Sequence, residues 1–541
     1  MSSGWCYADV WETIADRVPD RLALVHGDRR HSWRDFEQRA AGVAATLLDA
    51  GAGHQDKVAC YLYNGPEYLE VVFAAFKAGL VPVNTNYRYR DDELIYLWDN
   101  ADAVAVAFHG CFAERIAGLR ERLPKVRTWL WVDDGSGPCP AWALPYEQAA
   151  TAAAGGSGTR WRRSGDDVLM IYTGGTTGLP KGVMWRQDDA YRAFNTQGDP
   201  PEPDLGVVAR RATAGSGPVG LPASPLMHAT GLMFSLTMLN QAGTVVTLPS
   251  RHFDAAELLD TVQREQVEAV AIVGDAFARP ILDELDAAPG RWDLSSLAMV
   301  VSAGVMWSAE VKAGLAGHLP GCLLVDLLGS SEAHGMGSAV ASGQGGAATA
   351  RFRPGAHAVV ITEDGREVAP GSGEAGLVAV RGPMPLGYYK DPQKTAQTFR
   401  VVNGERMSVP GDWATVEADG TLKLLGRGSV CINTGGEKVF PEEVEEALKS
   451  HPAVRDAVVV GVPDARFGEA VCGLVEVRPA PAPTEAELVA WVKARLAGYK
   501  APRRVLIVES VGRSPNGKAD YRAARERALD AIAPGPPARG S

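Results

Sequence analysis

The residues best suited to chemistry lie in "YTGGTTGLPKG", Tyr172 to Gly182. Thr173, Gly174, Gly175, Thr176, Thr177 and Gly178 bring hydroxyl donors and bare backbone amides together, and Lys181 follows as a cation. So glycine-rich a run has little to bury and loses more backbone entropy on ordering than almost any other composition, so an external partner has to order it. Amides and hydroxyls wrapped around an anion, with a lysine to offset its charge, are what polyphosphate binding requires. A nucleotide loop of the G-x-x-x-x-G-K-[ST] type is excluded, because Pro180 stands where the second glycine belongs and Gly182 where the serine or threonine belongs. "GSGPVG" (Gly215 to Gly220) and "GSGEAG" (Gly371 to Gly376) match the dinucleotide fingerprint formally, but neither follows a strand and opens a helix, so both are read as turns.

The elements that must position this loop alternate strand and helix. "DVLMIY" is an apolar strand leading into it. Upstream, "YADVWETIADRVPD" has helical spacing, the segment to Gly51 reads strand, turn, strand, long helix, and "KVACYLYNGPEYLEVVFAAFKAGLVPVNTN" reads strand, helix, strand. "TVVTL", the helix near Ala255 to Glu265, "VEAVAIVG", "LAMVVSAG" and "LLVDLLG" continue the rhythm after residue 220. Such alternation builds βαβ units around mostly parallel sheets. From about Gly376 short strands and turns take over, and a compact tail follows with a helix at Pro441 to Ser450, a strand at "AVVVGVP" and a helix at Glu485 to Leu496. The expected fold class is therefore α/β: a large N-terminal domain of βαβ-built sheets with a small β-rich subdomain, and a smaller α+β C-terminal domain. The expected boundary gives residues 1–427 and 428–541, with a disordered "APGPPARGS" at the end.

At 541 residues the chain is too long for one ordinary domain, and its formal charge of -11 argues against nucleic acid as a partner. The seven cysteines are scattered without the spacing of a zinc or redox motif, which suits reduced thiols in a cytoplasmic protein. The acidic N-terminus lacks the apolar core of a secretory signal. Ala229 to Ser250 carries no charge, yet Asn240, Gln241 and Gly243 interrupt it, so helix, turn and strand are expected there in place of a membrane span.

The loop "YTGGTTGLPKG" resembles the signature of the adenylate-forming superfamily, which includes acyl-CoA and aryl-CoA synthetases. Further blocks occur in that family's order: "PLMHATG" at Pro225 to Gly231, "LLGSSE" at Leu327 to Glu332, "VPGDWATVEADGTLKLLGR" at Val409 to Arg427, "GGEKVFPEEVE", and "SPNGK" at Ser514 to Lys518. The resemblance implies an ATP-dependent ligase. A carboxylate attacks the α-phosphate of ATP to give an acyl-adenylate and pyrophosphate; the mobile C-terminal domain then rotates, and a thiol, usually coenzyme A, takes the acyl group and releases AMP.

The same resemblance assigns roles. Lys181 and the loop threonines hold the β- and γ-phosphates. Glu332, with Thr177, binds Mg²⁺, a hard cation suited to carboxylate and phosphate oxygens. Asp412 accepts from the ribose hydroxyls, Arg427 contacts ribose and phosphates, and Lys518 bridges the substrate carboxylate and α-phosphate. His228 lies by the carboxylate and acyl pocket. Ser302, Ala303 and Gly304 form a strand-end turn between adenine and acyl group, and Leu328, Gly329, Ser330 and Ser331 belong to the nucleotide site. Gly435, Gly436 and Lys438 line the thiol channel after rotation. Three positions depart from the family: Leu328 replaces an aromatic residue, Pro410 a threonine, and Ser429 a hinge aspartate or lysine.

"GRGSVCINTGGEKVFPEEVEEALK" and "VGDAFARP" are similar to actinobacterial fatty-acid and steroid-side-chain CoA ligases, which implies a hydrophobic acid, with an aryl acid as the alternative, and transient membrane contact for a lipid substrate. Met227, Met233, Met238 and Met306 suit either an adaptable acyl pocket or ordinary core. Asp275 is an unexpected carboxylate, expected either to pair with Arg279 one helical turn on or to touch a polar substrate group.

Overall fold

The computed structural model describes residues 4–152, 161–173, 179–195, 203–215, 217–305, 307–342, 350–434, 437–464, 467–479, 482–514 and 517–532. Two large sheets make the N-terminal domain. In the first, the strands Leu22–His26, Thr244–Thr247, Val219–Pro222, Ala269–Ile272, Met299–Ala303 and Leu323–Leu328 lie side by side and run parallel to one another. In the second, Val168–Thr173 lies between the parallel strand Val81–Asn84 and the antiparallel strand Lys181–Arg186. Strands such as Val81–Asn84, Thr244–Thr247 and Ala269–Ile272 are buried along their whole length, as helices on both faces require.

Helices Tyr7–Arg17, Trp33–Asp49, Pro66–Lys77 and Ala229–Asn240 supply a large part of the core between the two sheets. Their aromatic side chains interlock: Trp11 meets Phe73 edge-on at 5.1 Å and Tyr7 stacks on Phe76 at 5.1 Å. Truncating one such ring to alanine costs about 3–5 kcal/mol. Met233 and Met238 belong to this core, Met227 is buried beside it, and Met306 lies outside the described residues. The uncharged stretch from Ala229 is a twelve-residue helix, Ala229–Asn240, followed by the strand Thr244–Thr247, and no helix among the described residues is long and apolar enough to cross a membrane.

After Leu323–Leu328 the first sheet turns antiparallel and continues, through Gly337–Ala341 and Arg351–Pro354, into the β-rich region that ends at Leu422–Arg427. The short helical turn Gly428–Val430 follows, and a separate five-stranded sheet begins at Ile432. Its centre is the long antiparallel pair Val454–Asp464 and Gly468–Val477, covered by helices Pro441–Lys449, Glu485–Lys493 and Tyr521–Ile532. The large and small domains and the β-rich part are those expected from the sequence. The last helix, Tyr521–Ile532, and the length of the central pair go beyond the helix, strand and helix expected of the tail. "APGPPARGS" lies outside the described residues.

"GSGPVG" lies between the helix Leu205–Ala214 and the strand Val219–Pro222, whose first two residues it supplies, with Ser216 outside the described residues, and "GSGEAG" is a turn that leads into Ala375–Val380. All seven cysteines are free thiols.

Candidate active site

The signature loop joins two paired strands. Thr173 and Lys181 are register partners at the ends of Val168–Thr173 and Lys181–Arg186, so the chain must reverse between them; Gly174, Gly175, Thr176, Thr177 and Gly178 lie outside the described residues. Lys181 opens a strand and not a helix, which independently removes the G-K-[ST] reading. Asn84 fixes the loop's approach: its amide donates to the Tyr172 and Met227 carbonyls at 2.9 and 2.6 Å, and its oxygen accepts from the Tyr172 amide. Asn64 accepts from the Leu226 amide at 2.7 Å. These two asparagines tie the strand Val168–Thr173 and "PLMHATG" to the C-terminal ends of neighbouring parallel strands. Their only sequence signal is position, at or just beyond the C-terminal end of a parallel strand, where open α/β sheets place their ligands.

His228 precedes the helix Ala229–Asn240 as its N-cap residue. Desolvation, then the positive charges of Lys518 and Arg88, push its imidazole down to about 3, so it is neutral at pH 7. Ser302 is fully buried and its hydroxyl accepts from the Gly274 amide at 2.9 Å, which locks the turn after Met299–Ala303. Gly304 follows with φ +90°, where a side chain would be strained, and a Cβ there would sit 3.8 Å from Thr230 Oγ1 and 3.9 Å from Lys518 Cε. Lys518 therefore reaches from the C-terminal domain to the strand-end turn and to "PLMHATG". It stays open to solvent within the cleft. Crowding by the surrounding protein, then Arg427, lowers its pKa, and Glu332 opposes that shift.

Glu332 stands in the loop after Leu323–Leu328, not at a helix start. Tyr388 donates to its Oε1 at 2.8 Å, Ser408 donates to its carbonyl at 2.6 Å, and Trp185 donates to the preceding Ser331 carbonyl at 2.9 Å. Ser330 and Ala333 exchange backbone hydrogen bonds, and Gly329 has the Ala333 carbonyl 3.3 Å from where a Cβ would be, so the turn is tight. Leu328 is 9% exposed and packs with Ala333, Met336 and Phe352 in the β-rich core, so little of it is left to face a ligand.

Asp412 and Arg427 are register partners in adjacent antiparallel strands, with Arg427 Nε donating to Asp412 Oδ1 at 3.2 Å. Asp412 is buried and its Oδ2 has no hydrogen-bond partner, an acceptor already desolvated and still unused. A buried unsatisfied carboxylate oxygen is costly unless a donor arrives, which a ribose diol would supply.

The structure places other expected residues elsewhere. Lys438 lies in the strand Glu437–Val439, paired with Asn433 across the hairpin Ile432–Thr434 to Glu437–Val439; its side chain, and Gly435 and Gly436, lie outside what is described. This hairpin belongs to the C-terminal sheet. Asp275 does not pair with Arg279. Its Oδ1 accepts from the Ser308 amide and hydroxyl at 3.0 and 3.1 Å, while Arg279 approaches Glu310 at 3.9 Å. Being first in the helix Asp275–Ala287, the carboxylate is turned toward the neighbouring helix start and not along its own helix.

The profile of the AMP-binding enzyme family matches residues 11–389, and that of the AMP-binding enzyme C-terminal domain matches residues 443–518. The chain belongs to the AMP-binding enzyme family. It is 42% identical over 529 residues to a medium/long-chain-fatty-acid–CoA/3-oxocholest-4-en-26-oate–CoA ligase of Mycobacterium tuberculosis, covering 96% of this chain and 95% of that one. It is 40% identical to a 3-oxocholest-4-en-26-oate–CoA ligase of Rhodococcus rhodochrous over 532 residues, covering 96% and 95%. Its fold superposes on an anthranilate CoA ligase in complex with anthranoyl-AMP with a TM-score of 0.83 at 22% identity, covering 99% of both chains.

Proposed function

We propose that this chain is an ATP-dependent acyl-CoA ligase that activates a hydrophobic carboxylic acid, a medium- or long-chain fatty acid or a steroid side-chain acid, and transfers it to coenzyme A. The observation that carries the reading is the convergence of Lys518 from the C-terminal domain on Gly304 and Thr230, within electrostatic reach of Glu332 and Arg427. The names of the relatives support the acid class.

In the first half-reaction a substrate carboxylate oxygen attacks the α-phosphorus and the bond to the pyrophosphate oxygen breaks. Two anions must meet, so the site has to supply positive charge and donors where negative charge accumulates. Lys518 bridges carboxylate and α-phosphate, and Arg427 adds charge beside the ribose. Lys181, with Thr173 to Gly178, holds the β- and γ-phosphates. The empty acceptor of Asp412 takes the ribose hydroxyls, and the turns Ser302–Gly304 and Leu328–Ser331 border the adenine and acyl group. His228, neutral at pH 7, offers a hydrogen bond to the carboxylate without adding a competing cation.

Among the described residues no three acidic, histidine or cysteine side chains cluster around one point. The carboxylate of Glu332, hard and oriented by Tyr388, fits a Mg²⁺ that arrives with the nucleotide's own phosphates, with Thr177 as its partner. Bound there, Mg²⁺ offsets phosphate charge.

In the second half-reaction the C-terminal domain, hinged after Arg427, turns so that Gly435, Gly436 and Lys438 line the thiol channel. The thiol sulfur attacks the acyl carbon, the bond to AMP breaks, and AMP leaves. The enzyme works in the cytoplasm, with transient membrane contact for a lipid acid. Mass spectrometry after incubation with ATP, Mg²⁺, coenzyme A and pooled fatty, aryl and steroid acids tests the reading: AMP with a fatty or steroid acyl-CoA is expected, and an aryl-CoA alone overturns the substrate class.

A further inference from the structure

Lys181, the cation that ends the signature loop, already has an anionic partner. Its Nζ lies 2.5 Å from Asp391 Oδ2 and 5.9 Å from the centroid of the Tyr388 ring. Asp391 arrives there through a braced segment: Gly387 and Tyr388 pair with Met184 and Val183, the Tyr389 amide donates to the Gly182 carbonyl at 2.8 Å, and Tyr389 and Lys390 both bind Asp102. The Asp391 carboxylate divides its work. Oδ1 caps the helix Pro392–Thr398 by accepting from the Lys394 amide at 2.9 Å, and Oδ2 faces the ammonium. The same segment carries Tyr388, whose hydroxyl is bonded to Glu332. The two side chains read above as phosphate and metal contacts are thus held by residues three apart.

We infer that Asp391 is a positioning residue for ATP binding: a resident counter-ion that parks the Lys181 ammonium and competes with the β- and γ-phosphates for it. Both partners are partly exposed, 39% for Lys181 and 30% for Asp391. A pair so open to water is weak, which makes it easy to exchange for a multiply charged polyphosphate and to re-form when pyrophosphate leaves. By holding the ammonium, the carboxylate lowers ATP affinity while keeping the lysine aimed into the cleft. This inference rests on the assignment of Lys181 to the phosphates.

Asp391→Asn tests it, because asparagine caps a helix as well as aspartate and removes only the charge. Calorimetric binding of Mg²⁺ with α,β-methylene-ATP, and separately of AMP, is measured on the full chain. The variant is expected to bind the triphosphate analogue about two- to fivefold more tightly, the fold-change equivalent to the loss of such a pair, and to leave AMP affinity unchanged. General damage to the fold weakens both ligands, so tighter binding confined to the triphosphate is not what a structural role produces. Asp391→Ser, a second capping residue, is expected to shift the same way. In a Lys181→Ala background Asp391→Asn is expected to lose its effect. Unchanged or weaker triphosphate binding by both Asp391 variants, or an equal change for AMP, overturns the inference. Lys181→Ala binding the triphosphate as tightly as the parent chain instead sinks the phosphate assignment itself.

Discussion

Asp412 and Lys518 belong to opposite walls of one cleft, and their supports differ in kind. Asp412 sits in a strand, cross-paired with Arg427 in the neighbouring strand, and the adjacent Gly428 amide donates to the Gly411 carbonyl at 3.0 Å. Every one of those supports lies within one antiparallel hairpin. The loop that carries Lys518 is braced within its own domain: the Lys518 carbonyl accepts from the amide and hydroxyl of Ser514 at 2.9 Å each, and Arg513, anchored on Asp456 at 2.6 and 2.9 Å, donates to the Gly517 carbonyl. Across the cleft its loop offers packing, with Gly517 seated against the Val273 carbonyl and Ala276 so that a Cβ would come within 3.0 Å of each. The ion pair Arg478 to Glu310 at 2.5 Å also spans the two domains. An acceptor fixed in a sheet ladder and an ammonium brought in on the smaller domain suit the two proposed half-reactions, which share the nucleotide but not the lysine.

The comparison breaks first at Lys518. Lys518→Ala is expected to slow acyl-adenylate formation by about a thousandfold, the upper range for one preorganised charge, and to spare thioester synthesis from supplied acyl-adenylate. Equal loss of both steps in single-turnover assays refutes the division of labour. Gly436→Leu probes the proposed thiol channel: about a hundredfold loss confined to the thioester step is expected, and normal thioester rates remove Gly436 from that channel. Asp412→Ala removes an acceptor the nucleotide needs in both steps, so a roughly tenfold or greater weakening of ATP and AMP binding together is expected. AMP affinity equal to that of the parent chain contradicts the ribose role.

The smallest effect lies where the two regions meet. Glu442, on the C-terminal helix Pro441–Lys449, packs against Gly426, and its Oε2 has no hydrogen-bond partner. Burial, reinforced by the charge of Glu445, raises its carboxyl to about 8. The folded chain therefore holds this proton more tightly than the unfolded chain does. The resulting stabilisation is full below the ordinary glutamate range and is lost as pH rises from about 4.5 toward 8. Glu442→Gln is expected to raise the thermal midpoint by on the order of 2 °C at pH 8.5 and to change it little at pH 5. A shift of equal size at both values shows that Glu442 is not a buried neutral acid.

Much of this was legible early because the periodicities are strong and local. The helix at Ala255–Glu265 follows from apolar spacing between an aspartate cap and the residues that end it, and the turn character of "GSGEAG" follows from its neighbours. Of the two readings open for Asp275, pairing with Arg279 is not what the fold shows, because its partner, Ser308, is 33 residues away on another helix start, and no local spacing reports such a contact. Asn84, Asn64, Tyr388 and Asp391 carry no local signal for the same reason, since each acts on a segment far along the chain.

By itself the sequence determined which groups this protein owns: a glycine-threonine loop closed by a lysine, a glutamate after two serines, an aspartate and arginine fifteen residues apart, and a lysine near the end. Backbone propensity and hydrophobic period then dictated the strands and helices that carry them, because those are properties of neighbouring residues. Tertiary structure alone decided that Asp412 keeps one buried oxygen unpaired, that Lys518 crosses to Gly304, and that Lys181 is parked on Asp391. Desolvation and Coulomb interaction depend on distance through space, and that distance is set only when separate sheets pack against one another.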